Sequence, residues 1–272
     1  MQQLSGFSAT TRRRVRKLVE LVLMLSGVGG LSGLSAAALA GEVRVAVAAN
    51  FTAPMALIAT EFEKATGHKA LLSYGATGRF YAQISNGAPF DVLLAADAAT
   101  PAKLLQEGKA VSGSNFTYAQ GRLALWSAQP GVVNAQGDVL RRGQFRYVAI
   151  AAPLLAPYGA AAMQTLEQLG LRTAIEPKLV VGESVGQALN MVATGNAELG
   201  FVAASQVFEN GKLKSGSVWL VPAKLHAPIK QEAVLLQRAN TNPAAIALMA
   251  FLKTDKTKAV ITSFGYEVPM AK

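Results

Sequence analysis

Residues 182–186 read GESVG, a G-x-S-x-G pattern set between an apolar strand-like run, PKLVVG, and a helix-forming run, VGQALNMVATG. A serine in that setting can be the nucleophile of an acyl transfer if a histidine takes its proton and an acid orients the histidine. The chain has two histidines, His68 and His226, and only His226 follows Ser184. Glu198 and Glu209 are the acids between them, one opening a strand-like run and the other in the polar turn FENGKLKSG. No HGGG-type oxyanion loop is present. A serine hydrolase built on Ser184 is therefore a distant alternative, and no catalytic residue is assigned. With no cysteine and two isolated histidines, thiolate chemistry and a transition-metal ligand cluster have nothing to build on. No Walker or dinucleotide-binding glycine motif occurs.

The chemistry of binding is better supplied. Ligands of open α/β sheets bind at the carboxyl ends of strands, and four strand-to-helix junctions there share one character. Asn50 ends the run VRVAVAA, with Ala49 beside it, and asparagine is a preferred helix N-cap. Thr77 lies between Gly75 and Gly78 in YGATGRF, where glycines allow close backbone approach and the hydroxyl is a neutral donor. Tyr158 stands between Pro157 and Gly159 at the start of an alanine-rich helix, its hydroxyl free to pack over the loop or to enter a cleft. Ser184 or Val185 opens the fourth helix. None of these tips carries Lys or His, and Arg79 is one turn inside its helix. Helix N-termini present unpaired N–H groups and a partial positive charge. Four of them facing one cleft could hold an anion mainly with neutral donors.

The elements that must position these tips alternate along the chain. Short apolar strands are followed by amphipathic helices, the signature of an α/β protein with mainly parallel sheets. The first series runs VRVAVAA, TAPMALIATEFEKATG, KALLSYG, RFYAQISNG, FDVLLAA, ATPAKLLQEG. A new series begins at Arg122 with RLALWS and continues through YVAIAAP, GAAAMQTLEQLG, PKLVVG, VGQALNMVATG, AELGFVAA and SVWLVP. The strand PIKQEAVLL and a terminal helix from Pro243 to about Lys258 close the chain, and pattern alone allows them to complete either unit.

The first 40 residues are unlike the rest. A basic cluster, Arg12, Arg13, Arg14, Arg16 and Lys17, precedes an apolar run and the triplet Ala38-Leu39-Ala40. That is the layout of a signal peptide cleaved after Ala40. Without it, 21 basic and 15 acidic residues remain in the 272-residue chain, scattered rather than clustered. A nucleic-acid partner would need a basic stripe, so none is expected.

The segments VAVAANFTAPMALIATEFEKATG, SYGATGRFYAQISNGAPFDVLLAAD, APYGAAAMQTLEQLG and AELGFVAASQV resemble the periplasmic molybdate-binding proteins of ABC transporters. The likeness covers essentially the whole chain after the leader, and NGAPFDVLLAAD is its most diagnostic stretch. The resemblance implies a two-lobed type II periplasmic-binding fold, mainly parallel sheets flanked by helices, with the ligand in the inter-lobe cleft. It places residues 41–121 and the returning segment 222–272 in lobe 1 and residues 122–221 in lobe 2, joined by a two-stranded hinge. It implies a periplasmic protein that captures molybdate or tungstate and delivers it to a membrane permease, with no chemistry and no cofactor. Molybdenum then enters only as its oxyanion, with no direct metal ligands, and the expected state is a monomer. Carried over residue by residue, the ligand positions are Asn50, Thr77, a backbone donor at Tyr158 and a backbone donor at Val185, with Ala49 and Ser184 as neighbours. Two positions depart from the pattern. Asn50 stands where serine is usual, and Ala203 stands where many members have a tyrosine. The expectation is that the Tyr158 hydroxyl supplies the missing donor. Sulfate, another tetrahedral oxyanion, is the alternative ligand.

Overall fold

The structure is a computed structural model, and it describes residues 40–268. The leader read in the sequence lies outside them except for Ala40. The chain begins β1 (Glu42–Ala48), α1 (Thr52–Thr66), β2 (Lys69–Gly75), α2 (Thr77–Ser85), β3 (Val92–Leu94), α3 (Ala99–Gln106), β4 (Phe116–Gly121). It continues β5 (Leu123–Ser127), α4 (Val139–Arg142), β6 (Val148–Ala151), α5 (Pro157–Gln168), α6 (Arg172–Ile175), β7 (Leu179–Gly182), α7 (Val185–Ala193), β8 (Leu199–Ala203) and α8 (Ala204–Val207). A small hairpin, β9 (Phe208–Glu209) and β10 (Lys212–Leu213), leads to β11 (Ser217–Leu220). Then come β12 (Ile229–Leu235), α9 (Pro243–Phe251) and α10 (Asp255–Ser263).

Two five-stranded sheets result, ordered β2-β1-β3-β12-β4 and β11-β5-β8-β6-β7. Each has one strand running against the other four: β12 in the first and β5 in the second. These are the strands entered just after the chain changes sheet. It leaves the first sheet at Arg122 and returns through residues 221–228. The last described residues lie along the first sheet, where Gln120 and Glu267 form a bridge.

Each sheet is covered on both faces, which is why its central strands read as unbroken apolar runs. On one face of β1, Val43, Val45 and Val47 pack with Met55, Ile58 and Phe62 of α1 and with Leu248 of α9. On the other face, Ala46 and Leu93 meet Phe80 of α2 and Leu104 of α3. In the second sheet, Leu123, Leu125 and Ile150 pack on Tyr158 and Leu166 of α5, and Ala149 and Val202 on Ala188 and Val192 of α7. Two readings need correction. The terminal helix is two helices: the chain breaks after Phe251, Thr254 caps a new start by accepting from the Thr257 N–H at 3.3 Å, and α10 runs on to Ser263. Also, Phe116–Gly121 is a strand, paired with β12, where the sequence suggested only a change of character. Among the described residues no helix is long and apolar enough to cross a membrane.

Candidate functional site

The six tip residues singled out above meet in one place. Ala49, Asn50, Thr77, Tyr158, Ser184 and Val185 all line one small cavity, and no charged side chain lines it. The first three come from the ends of β1 and β2, the others from the ends of β6 and β7 in the second sheet.

The local sequence explains each position. Thr77 is the first residue of α2 and is buried, and its Oγ1 accepts a hydrogen bond from the Ala96 N–H at 3.0 Å. A hydroxyl that accepts in this way keeps its own proton to donate. Pro157 and Tyr158 open α5, and Val185 opens α7. The first N–H groups of a helix have no carbonyl one turn earlier, so the Tyr158 and Val185 amides are donors without an intrahelical partner. Ser184 is the N-cap of α7, its Oγ accepting from the Gln187 N–H at 3.4 Å. The hydrolase partners are not gathered around it. His226 lies in the crossover with Nδ1 2.8 Å from the Ala227 carbonyl, and Glu198 accepts from Arg146 Nε at 2.9 Å and from the Tyr147 N–H at 3.0 Å.

Asn50 differs from its reading as a helix cap. It sits in a short 3-10 turn, Ala49–Phe51, Phe51 takes the N-cap position, and neither makes a side-chain cap bond. A buried polar network claims the amide instead. Asn50 Nδ2 donates to Gln231 Oε1 and to the Tyr266 hydroxyl, both at 2.8 Å. Its main-chain carbonyl accepts from Tyr266 at 2.8 Å and from Ser205 Oγ at 3.0 Å. Tyr118 donates to Gln231 Oε1 at 3.0 Å or to the Ala95 carbonyl at 3.1 Å, and Gln231 Nε2 donates to the Tyr158 hydroxyl at 3.2 Å. The Tyr158 hydroxyl thus meets Gln231 of the first sheet while its residue lines the cavity. Burial pushes the Tyr118 and Tyr158 hydroxyls well above the ordinary phenol range. Burial also raises Tyr266, to about 12, against the opposing effect of its bonds to Ser205 and Asn50.

Comparison with known proteins decides the family. The family model for bacterial extracellular solute-binding proteins matches residues 43–267. The chain belongs to this family. It is 58% identical over 237 residues to the molybdate-binding protein ModA of Azotobacter vinelandii, covering 87% of this chain and 94% of that one. It is 51% identical over 234 residues to the protein of the same name from Rhodobacter capsulatus, covering 86% and 91%. Among solved structures, an Azotobacter vinelandii periplasmic molybdate-binding protein superposes with a TM-score of 0.81 at 43% identity, over 84% of this chain and all of that one. The fold is the two-lobed type II periplasmic-binding fold, and the protein is a solute-binding protein, not an enzyme.

Several contacts join the part of the chain built on the first sheet to the part built on the second. The Gly78 N–H donates to the Leu155 carbonyl at 2.9 Å across the cleft. Arg79 pairs with Glu183 at the cleft mouth. Ser205 and Tyr158 bring the second half into the Asn50 network. At the crossover Gly121 is needed for space, since a Cβ there would lie 2.1 Å from the Tyr158 hydroxyl oxygen. The members that sequence reasoning missed are Gln231, Tyr266, Tyr118, Ser205 and Ala96. One signal was available: in IKQEAVL, Gln231 falls on the same alternating face as Ile229 and Ala233, and a polar residue there must find partners.

Proposed function

We propose that this protein captures molybdate, or its congener tungstate, in the cavity between its halves and delivers it to the membrane permease of an ABC transporter. The observation that carries this reading is the convergence of four neutral tips, Asn50, Thr77, Tyr158 and Val185, on a cavity free of charged side chains. Identity of 58% to a molybdate-binding protein supports the choice of ligand. Thr77 Oγ1–H and the first-turn amides of Tyr158 and Val185 point partial positive charge at the anion, with Ala49 and Ser184 completing the wall. Fixed dipoles out of water can hold a charge in this way without a cation. The molybdenum stays inside its oxyanion and takes no ligand from the protein.

The lobes follow strand membership: residues 41–121 and 222–272 in one, 122–221 in the other, closing over the anion by a hinge at the two crossovers. The location is periplasmic, in keeping with the named relatives, and the leader is removed after Ala40. The protein acts as a monomer, since capture and delivery need a single cleft.

Thermal unfolding with added oxyanions tests the reading. A ligand that binds only the folded state raises the melting temperature. Molybdate and tungstate should raise it, and sulfate and phosphate should not. A shift with sulfate alone would transfer the site to sulfate, and no shift with any of the four would end the anion-binding reading.

A further inference from the structure

The Asn50 amide presents a difficulty for an anion site. Both hydrogens of Nδ2 are taken by Gln231 and Tyr266, and Oδ1 is buried with no hydrogen-bond partner among the described residues. Asn50 is 2% exposed and lines the cavity, so the free arm of its amide is an acceptor. A carbonyl oxygen facing a dianion repels it, and a buried acceptor without a partner is itself costly.

A second arrangement uses the same atom positions with nitrogen and oxygen exchanged in both amides. Asn50 Oδ1 then accepts from Gln231 Nε2 and from the Tyr266 hydroxyl. Tyr266 can redirect its proton because Ser205 already satisfies the Asn50 main-chain carbonyl. Gln231 Nε2 gives its other hydrogen to Tyr118, whose own proton goes to the Ala95 carbonyl. Gln231 Oε1 accepts from Tyr158. Asn50 Nδ2 is left free to donate into the cavity. Asn50 cannot invert alone, because Oδ1 would then face Gln231 Oε1, two acceptors at 2.8 Å.

Resting on the molybdate reading above, we infer that Gln231 is a specificity-determining positioning residue: anion binding inverts the Asn50 and Gln231 amides as a pair, and Gln231 holds Asn50 with its nitrogen toward the ligand. The terminal torsions of Asn and Gln are soft, so the network and not the side chain sets the orientation. Tyr158 and Ser205 reach the network from the other sheet. Opening of the cleft therefore loosens the network, and closure on the anion fixes it. With Asn50 Nδ2 inward, both Asn50 and Thr77 present hydrogens to the ligand, so an oxyanion bearing its own O–H is disfavoured.

The test follows side-chain amides by ¹⁵N–¹H spectroscopy on ¹⁵N-labelled protein titrated with sodium molybdate, alongside calorimetry. The Asn50 and Gln231 signals are assigned by their loss in N50S and Q231M. Both pairs should move along one binding curve. Q231M, which cannot hold either arrangement, should weaken molybdate binding about 10-fold, the scale of one lost hydrogen bond to a buried group. Q231E, when ionised, accepts only and so keeps Asn50 Nδ2 turned away from the cavity, and at a pH that ionises it the variant should lose more affinity than Q231M. If Q231E fails to fold, Q231M and the wild-type spectra still decide. Binding heat with a moving Asn50 pair and an unmoved Gln231 pair would overturn the inference, as would a folded Q231M with wild-type affinity. No binding heat in the wild type would overturn the molybdate reading itself.

Discussion

At the scale of the residue, one substitution tests both duties proposed for Thr77. Its oxygen accepts from the Ala96 N–H at 3.0 Å, and its proton remains free for the proposed anion. Thr77→Val keeps the shape and removes both. Loss of a hydrogen bond to a charged ligand should cost about 1.5–3 kcal/mol of binding, and the stranded Ala96 N–H about 1–3 kcal/mol of stability. Thr77→Ser should restore most of each. Calorimetry and thermal unfolding check the pair, and a valine variant with undiminished molybdate affinity would remove Thr77 from the site. Thr77, Tyr158 and Val185 were legible in the sequence because glycine or proline marks each junction of strand and helix. Gln231, Tyr266 and Ser205 were not, since they meet Asn50 from 181, 216 and 155 residues away and only the tertiary fold joins them. The same network explains why Asn50 is no cap: its buried amide donates to Gln231 and Tyr266 instead of accepting from a first-turn N–H.

At the scale of the element, the α2 start carries a glycine that the helix itself does not require. Gly78 donates across the cleft to Leu155, and a Cβ there would lie 3.1 Å from the Leu155 Cα and carbonyl oxygen. It sits in the first turn of α2 without a positive φ, so alanine suits the helix itself and should stabilise it by up to about 1 kcal/mol. Gly78→Ala should therefore hold or raise the melting temperature without ligand while lowering molybdate affinity, because only the closed form meets the added methyl. Unchanged affinity in calorimetry would show that the Leu155 loop yields freely and that this contact does not govern closure. Elements with strong periodicity, such as α1 and α5, could be read from the chain. The break between α9 and α10 was missed because the polar run Lys253–Lys258 also fits the exposed face of one continuing helix, and a single threonine cap decides the matter. β4 was obscured because half of its residues are polar or glycine and its pairing partner, β12, lies more than 100 residues ahead.

At the scale of the whole molecule, the junction of the two halves is held by phenols that must stay neutral. Tyr118 and Tyr266 belong to the first half and Tyr158 to the second, and all three are nearly inaccessible. Burial raises each one, Tyr266 to about 12 and the other two well above the ordinary range. The folded protein thus holds these protons more tightly than the unfolded chain, in which a tyrosine ionises near pH 10. Stability from this source is complete below about pH 10 and falls as pH rises toward the folded value, because unfolding then releases protons. For Tyr266 alone, a rise from 10.0 to about 12 corresponds to about 3 kcal/mol across that window. Thermal unfolding between pH 8 and 11.5 should show a level melting temperature followed by a decline that starts near pH 10, and Tyr266→Phe should make the decline shallower. Absorbance at 295 nm should show these tyrosines ionising together with unfolding, in one cooperative step. If all six tyrosines of the chain ionised near pH 10 in a protein that stayed folded, the junction would be open to water, and the closed, neutral-donor cleft argued for the anion would lose its physical basis.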